Sequence, residues 1–324
     1  MNYLFNLQKQ CTCALCTKST QSRDRQQAFL EKKQYVCTPY IIYRAMRQAK
    51  KEIEKALQAL YTCEEIKSIG MQLLESVRHK TKLELLTEWD YTLSDNERSL
   101  FDQMVARLQR EEPLQYVLGE CEFAGLRIGV AQGVLIPRPE TEQLVRLIIR
   151  EQRGKAGRIL DIGCGSGCIA IALAAHLGQS KVEAWDISAK ALEIAGRNAA
   201  ANRVTVGFRQ TDVMHDRVPH ETWDLIVSNP PYVLNCEKAG MQNNVLAYEP
   251  HEALFVPDND PLRFYRRIAE IACGHLSEHG CVYVEINERW GKETAALFAS
   301  CGCFGEVTLI NDFLGKERFV KACR

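Results

Sequence analysis

Apolar positions along the chain recur with two different spacings, and the change from one to the other divides it. From Tyr40 to about Arg110 the spacing is helical: Met46, Ala49, Ile53, Leu57 and Leu60 form one stripe, and Ile66, Ile69, Leu73, Leu74 and Val77 a second. Ser94-Asp95-Asn96-Glu97 lets a hydroxyl and a carboxylate cap each other's backbone ahead of Leu100, Phe101, Met104, Val105 and Leu108. Each helix is too polar to stand alone, so residues 39–112 are expected to pack as a small helical bundle. Residues 1–38 are rich in Gln, Thr, Ser and Lys and have no apolar period, which predicts a disordered extension. Met46 opens the first periodic helix and is a candidate start of translation, to be checked by mass spectrometry of the native amino terminus.

Glu112-Pro113 ends the bundle, and residues 113–136 alternate weakly between Tyr116 and Val134 with Gly119, Gly125, Gly129 and Gly133 among them. That pattern predicts a linking hairpin. Pro137 and Pro139 then hold an extended segment, and Thr141 is expected to cap a helix carrying Leu144, Val145, Ile148 and Ile149. From 137 to 324 short apolar runs alternate with amphipathic ones. Strands are expected at Arg158–Ile162, Lys181–Asp186, Val204–Phe208, Trp223–Ser228 and Cys281–Ile286, with closing strands at Glu306–Ile310 and Arg318–Lys321. Helices are expected over Cys168–Ala174, Ala189–Asn202, Pro261–Ile271 and Trp290–Ser300. This order describes an α/β sheet whose ligand sits at the carboxyl ends of the strands. The polar stretch between Asn235 and Asn259 reads as a long loop of the kind that forms lids or substrate surfaces.

Composition changes this picture only in part. The 324 residues are 46% hydrophobic and 25% charged, as ordinary soluble proteins are. Lys plus Arg and Asp plus Glu each number 41, which argues against a partner held mainly through phosphates. No apolar run approaches a membrane span, and no leader-like segment opens the chain. Of 14 cysteines, Cys164, Cys168 and Cys281 lie in apolar runs and read as small buried hydrophobes, which favours a cytoplasmic setting. Cys11, Cys13 and Cys16, with Cys37 further on, lack a histidine or second cysteine pair, so no metal is expected.

Chemistry concentrates at two turns. Arg158-Ile-Leu-Asp161-Ile-Gly163-Cys164-Gly165-Ser166-Gly167 reads as strand, glycine turn and helix start. Its glycines let a ligand approach the backbone and leave amide hydrogens facing it. The spacing differs from that of dinucleotide folds, and Asp161 beside it suits a cationic or amino-bearing ligand rather than a pyrophosphate. Asp186, ending the next strand, stands where an acid accepts from ribose hydroxyls, and Asp212 follows in a polar turn able to accept from an adenine amino group. The second turn is Ser228-Asn229-Pro230-Pro231-Tyr232. Taken alone it is a Pro-Pro turn ending a core strand. Beside the glycine turn, the Asn229 amide and the Pro230 carbonyl offer two acceptors for a planar amino group, with Tyr232 as an aromatic face.

These residues resemble a known family. Asp161 to Gly167 resembles motif I of class I S-adenosylmethionine-dependent methyltransferases, and Asn229-Pro-Pro-Tyr232 the motif of those that methylate amide or exocyclic amino nitrogens. Pro113-Leu-Gln-Tyr-Val-Leu-Gly119, Ile136-Pro-Arg-Pro-Glu-Thr-Glu142 and Tyr248-Glu-Pro-His-Glu-Ala-Leu254 resemble the release factor glutamine methyltransferase family, from about residue 46 to the end. The resemblance implies a Rossmann-like sheet of seven strands with an antiparallel last hairpin, preceded by a small helical substrate-docking domain. It implies N5-methylation of the glutamine in the Gly-Gly-Gln motif of peptide chain release factors. The enzyme is expected to be a monomer with no direct nucleic-acid or membrane partner. Carried over by motif, Gly163, Cys164, Gly165, Ser166 and Gly167 line the methionine part of the cofactor, Asp186 its ribose, and Asp212 and Val213 its adenine. Asn229 and Pro230 hold the substrate amide beside the cofactor, with Pro231 and Tyr232 against it, and Arg138 and Thr141 brush the cofactor. The alternatives are an adenine-N6 or other nucleic-acid amino methyltransferase, and a non-enzymatic release-factor or ribosome-associated binding module.

Overall fold

The computed structural model describes residues 51–87 and 92–324, and contacts divide the chain into two compact units, Met1–Asp102 and Gln103–Arg324. The expectations for residues 1–38, for Met46 and Ala49, and for the cysteines up to Cys37 lie outside the described residues.

In the first unit residues 51–57 are helical and bury Ile53 and Leu57. The helix stops before Leu60, which is consequently 42% exposed rather than part of the stripe. Helix α1 (Cys63–Arg78) opens on Thr62, whose hydroxyl accepts from the Glu65 N–H while the Glu65 carboxylate accepts from the Thr62 N–H. It buries the full second stripe, Ile66 to Val77. After the short α2 (Lys82–Thr87), α3 (Asp95–Leu108) begins at the anticipated Ser94–Glu97 capping box. Phe101 is buried there, whereas Leu100 faces out.

The second unit starts its own structure with α4 (Leu114–Leu118), which takes up Tyr116 where an extended residue was expected. Pro113 at the cap favours the helical turn, and Gly119 in the left-handed region ends it. The hairpin follows as β1 (Glu120–Phe123) and β2 (Leu126–Gly129), joined through Ala124 and Gly125, both with positive φ. Helix α5 (Pro139–Gln152) is capped at Arg138, so Thr141 lies inside its first turn instead of capping it. Pro139 decides this, because its fixed φ and missing N–H suit the first helical position.

The remaining elements build one sheet: β3 (Arg158–Ile162), α6 (Cys168–His176), β4 (Lys181–Asp186), α7 (Ala189–Ala201), β5 (Gly207–Gln210) and β6 (Trp223–Ser228). Then come β7 (Val233–Leu234), α8 (Asn243–Tyr248), β8 (Phe255–Val256), α9 (Arg263–His275), β9 (Leu276–Glu285), α10 (Gly291–Ser300), β10 (Glu306–Asn311) and β11 (Glu317–Cys323). The seven-stranded order is β10-β11-β9-β6-β3-β4-β5, parallel except for β11, which runs antiparallel to both neighbours. Strand β5 starts later than expected because the Val204 N–H closes α7 by donating to the Ala199 carbonyl. The stretch from Asn235 is no bare loop: it folds into short helical turns and α8, and β8 returns to pair in parallel with β7.

Side chains alternate along the central strands. Ile159, Leu225 and Val227 pack with α5, α6 and α7 on one face, and Leu160, Ile162 and Ile226 with α9 and α10 on the other. Trp185 and Trp223 meet edge to face at 5.3 Å within the second layer. Cys164 and Cys168 are buried thiols as expected, but Cys281 is not. It lies directly opposite Cys323 in the β9–β11 register, with Cα atoms 4.1 Å apart, and the two form a disulfide, as do Cys273 and Cys303. Among the described residues no helix is long and apolar enough to cross a membrane.

Candidate active site

Strands β3, β4 and β6 are neighbours, so the turns at their carboxyl ends open on one rim. There they enclose a cavity of about 330 Å³. Its wall includes Gly163 and Gly165 after β3, Asp186 at the end of β4 with Ile187 after it, and Asp212 and Val213 after β5. Asn229, Pro230 and Pro231, following β6, line it too. The two turns singled out in the sequence thus line one cavity.

The glycine turn is fastened to β4. The Gly163 and Cys164 N–H groups donate to the Trp185 carbonyl at 2.8 and 3.0 Å, and the Gly165 N–H donates to Asp186 Oδ2 at 2.8 Å. These amides are engaged by the protein, so the expectation that they face a ligand is corrected. What the turn offers is room: Gly163 and Gly165 have φ of 75° and 54°, and a Cβ at either would meet no atom within 4 Å. The other turn residues leave the cavity wall. Cys164 packs into the first core layer, and Ser166 is buried with its carbonyl accepting from Asn198 Nδ2. Gly167 allows close helix packing, since a Cβ there would lie 2.9 Å from that of Ala195. Asp161 is also no wall residue. It is fully buried beneath the turn, with Oδ2 accepting from the Ala170 N–H and Oδ1 unpartnered, and burial pushes its pKa up to about 8.

Two of the acids singled out in the sequence, Asp186 and Asp212, do line the wall. Asp186 accepts from the Ser188 N–H on Oδ1 and the Gly165 N–H on Oδ2, and its burial raises its pKa. Asp212 accepts from the Met214 N–H and from His215 Nδ1, and the histidine bond holds its carboxyl below the usual range. Phe264 of α9 adds an aromatic ring to the same wall.

Asn229 is held from behind. Its Nδ2 donates to Thr141 Oγ1 at 3.0 Å, and the Thr141 hydroxyl donates to Glu285 Oε2 at 2.6 Å. Asn229 Oδ1 accepts no hydrogen bond from the described residues, and the residue lines the cavity. Tyr232, expected against the substrate amide, does not line the cavity. Its ring packs with the second core layer and its hydroxyl donates to Glu285 Oε1 at 3.0 Å, because that buried carboxylate requires O–H donors on both oxygens. Arg138 and Thr141 are likewise absent from the wall. Arg138 pairs with Glu249 Oε1 at 2.6 Å, while Glu249 Oε2 accepts from the Ile136 N–H at 3.1 Å. That tie joins the segment carrying Pro250, Glu252 and Ala253, which also line the cavity, to the chain before α5. Glu249 stood inside the Tyr248–Leu254 motif with no role given to it, and Glu285 escaped the sequence reading. For Glu285 the available signal was an acid at the end of the apolar run Cys281-Val-Tyr-Val.

The family model for the PrmC N-terminal domain matches residues 48–119, and that for the methyltransferase small domain matches residues 140–248. A release factor glutamine methyltransferase from Bacteroides thetaiotaomicron is 44% identical over 273 residues, which cover 84% of this chain and 98% of the relative. Its counterpart from Flavobacterium psychrophilum is 42% identical over 271 residues, covering 82% and 95%. Among solved structures, a T. thermophilus 16S rRNA N2 G1207 methyltransferase in complex with AdoMet and guanosine overlaps 63% of this chain and 49% of its own. It is 16% identical, with a TM-score of 0.45.

Proposed function

The chain belongs to the release factor glutamine methyltransferase family, and from that premise we propose that it methylates the side-chain amide nitrogen of the glutamine in the Gly-Gly-Gln motif of peptide chain release factors. The methyl donor in this reading is S-adenosylmethionine. The cavity supports this: two glycines leave space where side chains would intrude, and Asp186 and Asp212 line the wall, where they would accept from a ribose and an adenine amino group. When bound, the donor supplies a methyl group on a positively charged sulfur that leaves as a neutral thioether.

The chain's own part is to hold the acceptor. A carboxamide nitrogen is a poor nucleophile because its lone pair is shared with the carbonyl. Asn229 Oδ1 and the Pro230 carbonyl accept its two N–H bonds and favour a pyramidal nitrogen with a localised lone pair. The surplus proton leaves the nitrogen after methylation, so no strong base is required beforehand. Catalysis is then positioning and charge complementarity. The observation that carries this reading is the shared cavity of Gly165 and Asn229, with the Asn229 carbonyl oxygen unengaged.

The helical region before residue 113 is assigned to docking of the release factor. The enzyme acts as a cytoplasmic monomer on a protein loop, without nucleic acid or membrane. Incubation with labelled donor and purified release factor tests this. Label should enter the protein with an intact Gly-Gly-Gln glutamine and not its substituted form; equal or absent labelling of both sinks the reading.

A further inference from the structure

The bonds around Asn229 form a chain with a defined direction. Glu285 is 1% exposed, and each of its oxygens accepts one hydroxyl, from Thr141 and from Tyr232. That is the arrangement of an ionised carboxylate. With its single proton committed to Glu285, the Thr141 oxygen can only accept, and it accepts from Asn229 Nδ2. An asparagine amide that donates on one side presents its oxygen on the other. The reverse orientation would set an N–H against the N–H of an incoming amide, and nothing in the side chain's shape opposes it. Resting on the function argued above, we propose that Glu285 and Thr141 are positioning residues that fix the Asn229 amide with Oδ1 toward the substrate nitrogen.

Protonation of Glu285 would undo this. A protonated carboxyl can donate to Thr141, which then donates to Asn229 Oδ1 and turns the amide around. Burial raises the pKa of Glu285, opposed by the Thr141 and Tyr232 hydroxyls and by the Arg318 charge from β11, while Glu140 of α5 adds to the rise. Tyr265 of α9 also faces it, donating to its backbone carbonyl, and Arg318 is shared with Asp312 and Glu288. The active form is therefore the ionised one. Turnover should fall as pH drops through a value above the ordinary glutamate range.

The test compares wild type with Thr141→Val, Thr141→Ser and Glu285→Gln, following kcat and KM toward release factor across pH and binding of S-adenosylhomocysteine by calorimetry. Thr141→Val should lower kcat by about tenfold or more with product affinity kept, and Thr141→Ser should restore it to within about threefold. Glu285→Gln should lower kcat and abolish the acid limb. The side-chain amide signal of Asn229, assigned by its loss in Asn229→Ala, should shift with pH alongside kcat and stay fixed in Glu285→Gln. The inference is overturned if Thr141→Val keeps wild-type kcat, if Thr141→Ser is as impaired as Thr141→Val, or if the Asn229 amide signal does not move. A wild type that binds product yet labels no release factor sinks the functional reading instead, and the amide signal still judges the network.

Discussion

In the function proposed, Asn229 is the residue on which the chemistry turns, because among the described residues it joins the cavity wall to the buried Thr141–Glu285 pair. Asn229→Ala should lower kcat by about 100-fold, as loss of one pre-aimed polar group typically does, while product affinity measured by calorimetry changes little. Turnover within a few-fold of wild type would remove Asn229 from this role. Asp161 yields a different test. Its folded pKa of about 8 exceeds the unfolded value near 3.9, so the folded state keeps a proton the unfolded chain loses. Its contribution to stability is greatest below about pH 4, declines by at most about 1.4 kcal/mol per pH unit, and is lost above about pH 8. Asp161→Asn should flatten that decline in denaturant titrations between those limits. At this scale the sequence displayed which residue types stood at the two turns, but not their directions. Burial of Cys164 followed from its apolar run, but Asp161 and Tyr232 also proved to face inward, Asp161 to meet the Ala170 N–H across the glycine turn and Tyr232 to meet Glu285 of a strand that the fold brings from elsewhere.

Elements with strong local signals were legible. Capping at Ser94, the Ile66–Val77 stripe and strands β3, β4 and β6 follow from side chains within a few positions of one another. Elements defined by distant partners were not. The pairing of β8 with β7, the extension of β9 back to Leu276, and the Cys281–Cys323 bond all arise between residues about 20 or more apart or from register alone. The α8 segment belongs to this second class, and its tie to Arg138 through Glu249 is testable. Glu249 is 4% exposed, so Arg138→Ala strands a buried carboxylate; with Arg138 itself partly exposed, the loss is about 1–3 kcal/mol. Hydrogen exchange over residues 243–256 should accelerate while β3 and β6 stay protected. Uniform acceleration, or none, would show that the ion pair does not anchor the segment.

Over the whole chain, the order of the sheet is what makes two motifs some sixty residues apart into one site, since β3 and β6 are neighbours in register from Ile159 with Leu225 to Ile162 with Ser228. The alternation of apolar and amphipathic runs carried that much, because crossover handedness and strand adjacency leave few sheets for such a pattern. Charge balance bears on the partner at the same scale. With 41 basic and 41 acidic side chains the molecule carries no net field to draw in a polyanion. Recognition of a protein loop through a small dry cavity should depend weakly on salt, so KM for release factor should change by less than about tenfold between 50 and 200 mM salt. A nucleic-acid acceptor engaged through 6–10 phosphates would lose about 10³–10⁵ in affinity over that range. A slope of that size, with duplex or ribosomal RNA competing for the site, would transfer the same asparagine chemistry from a glutamine to a base.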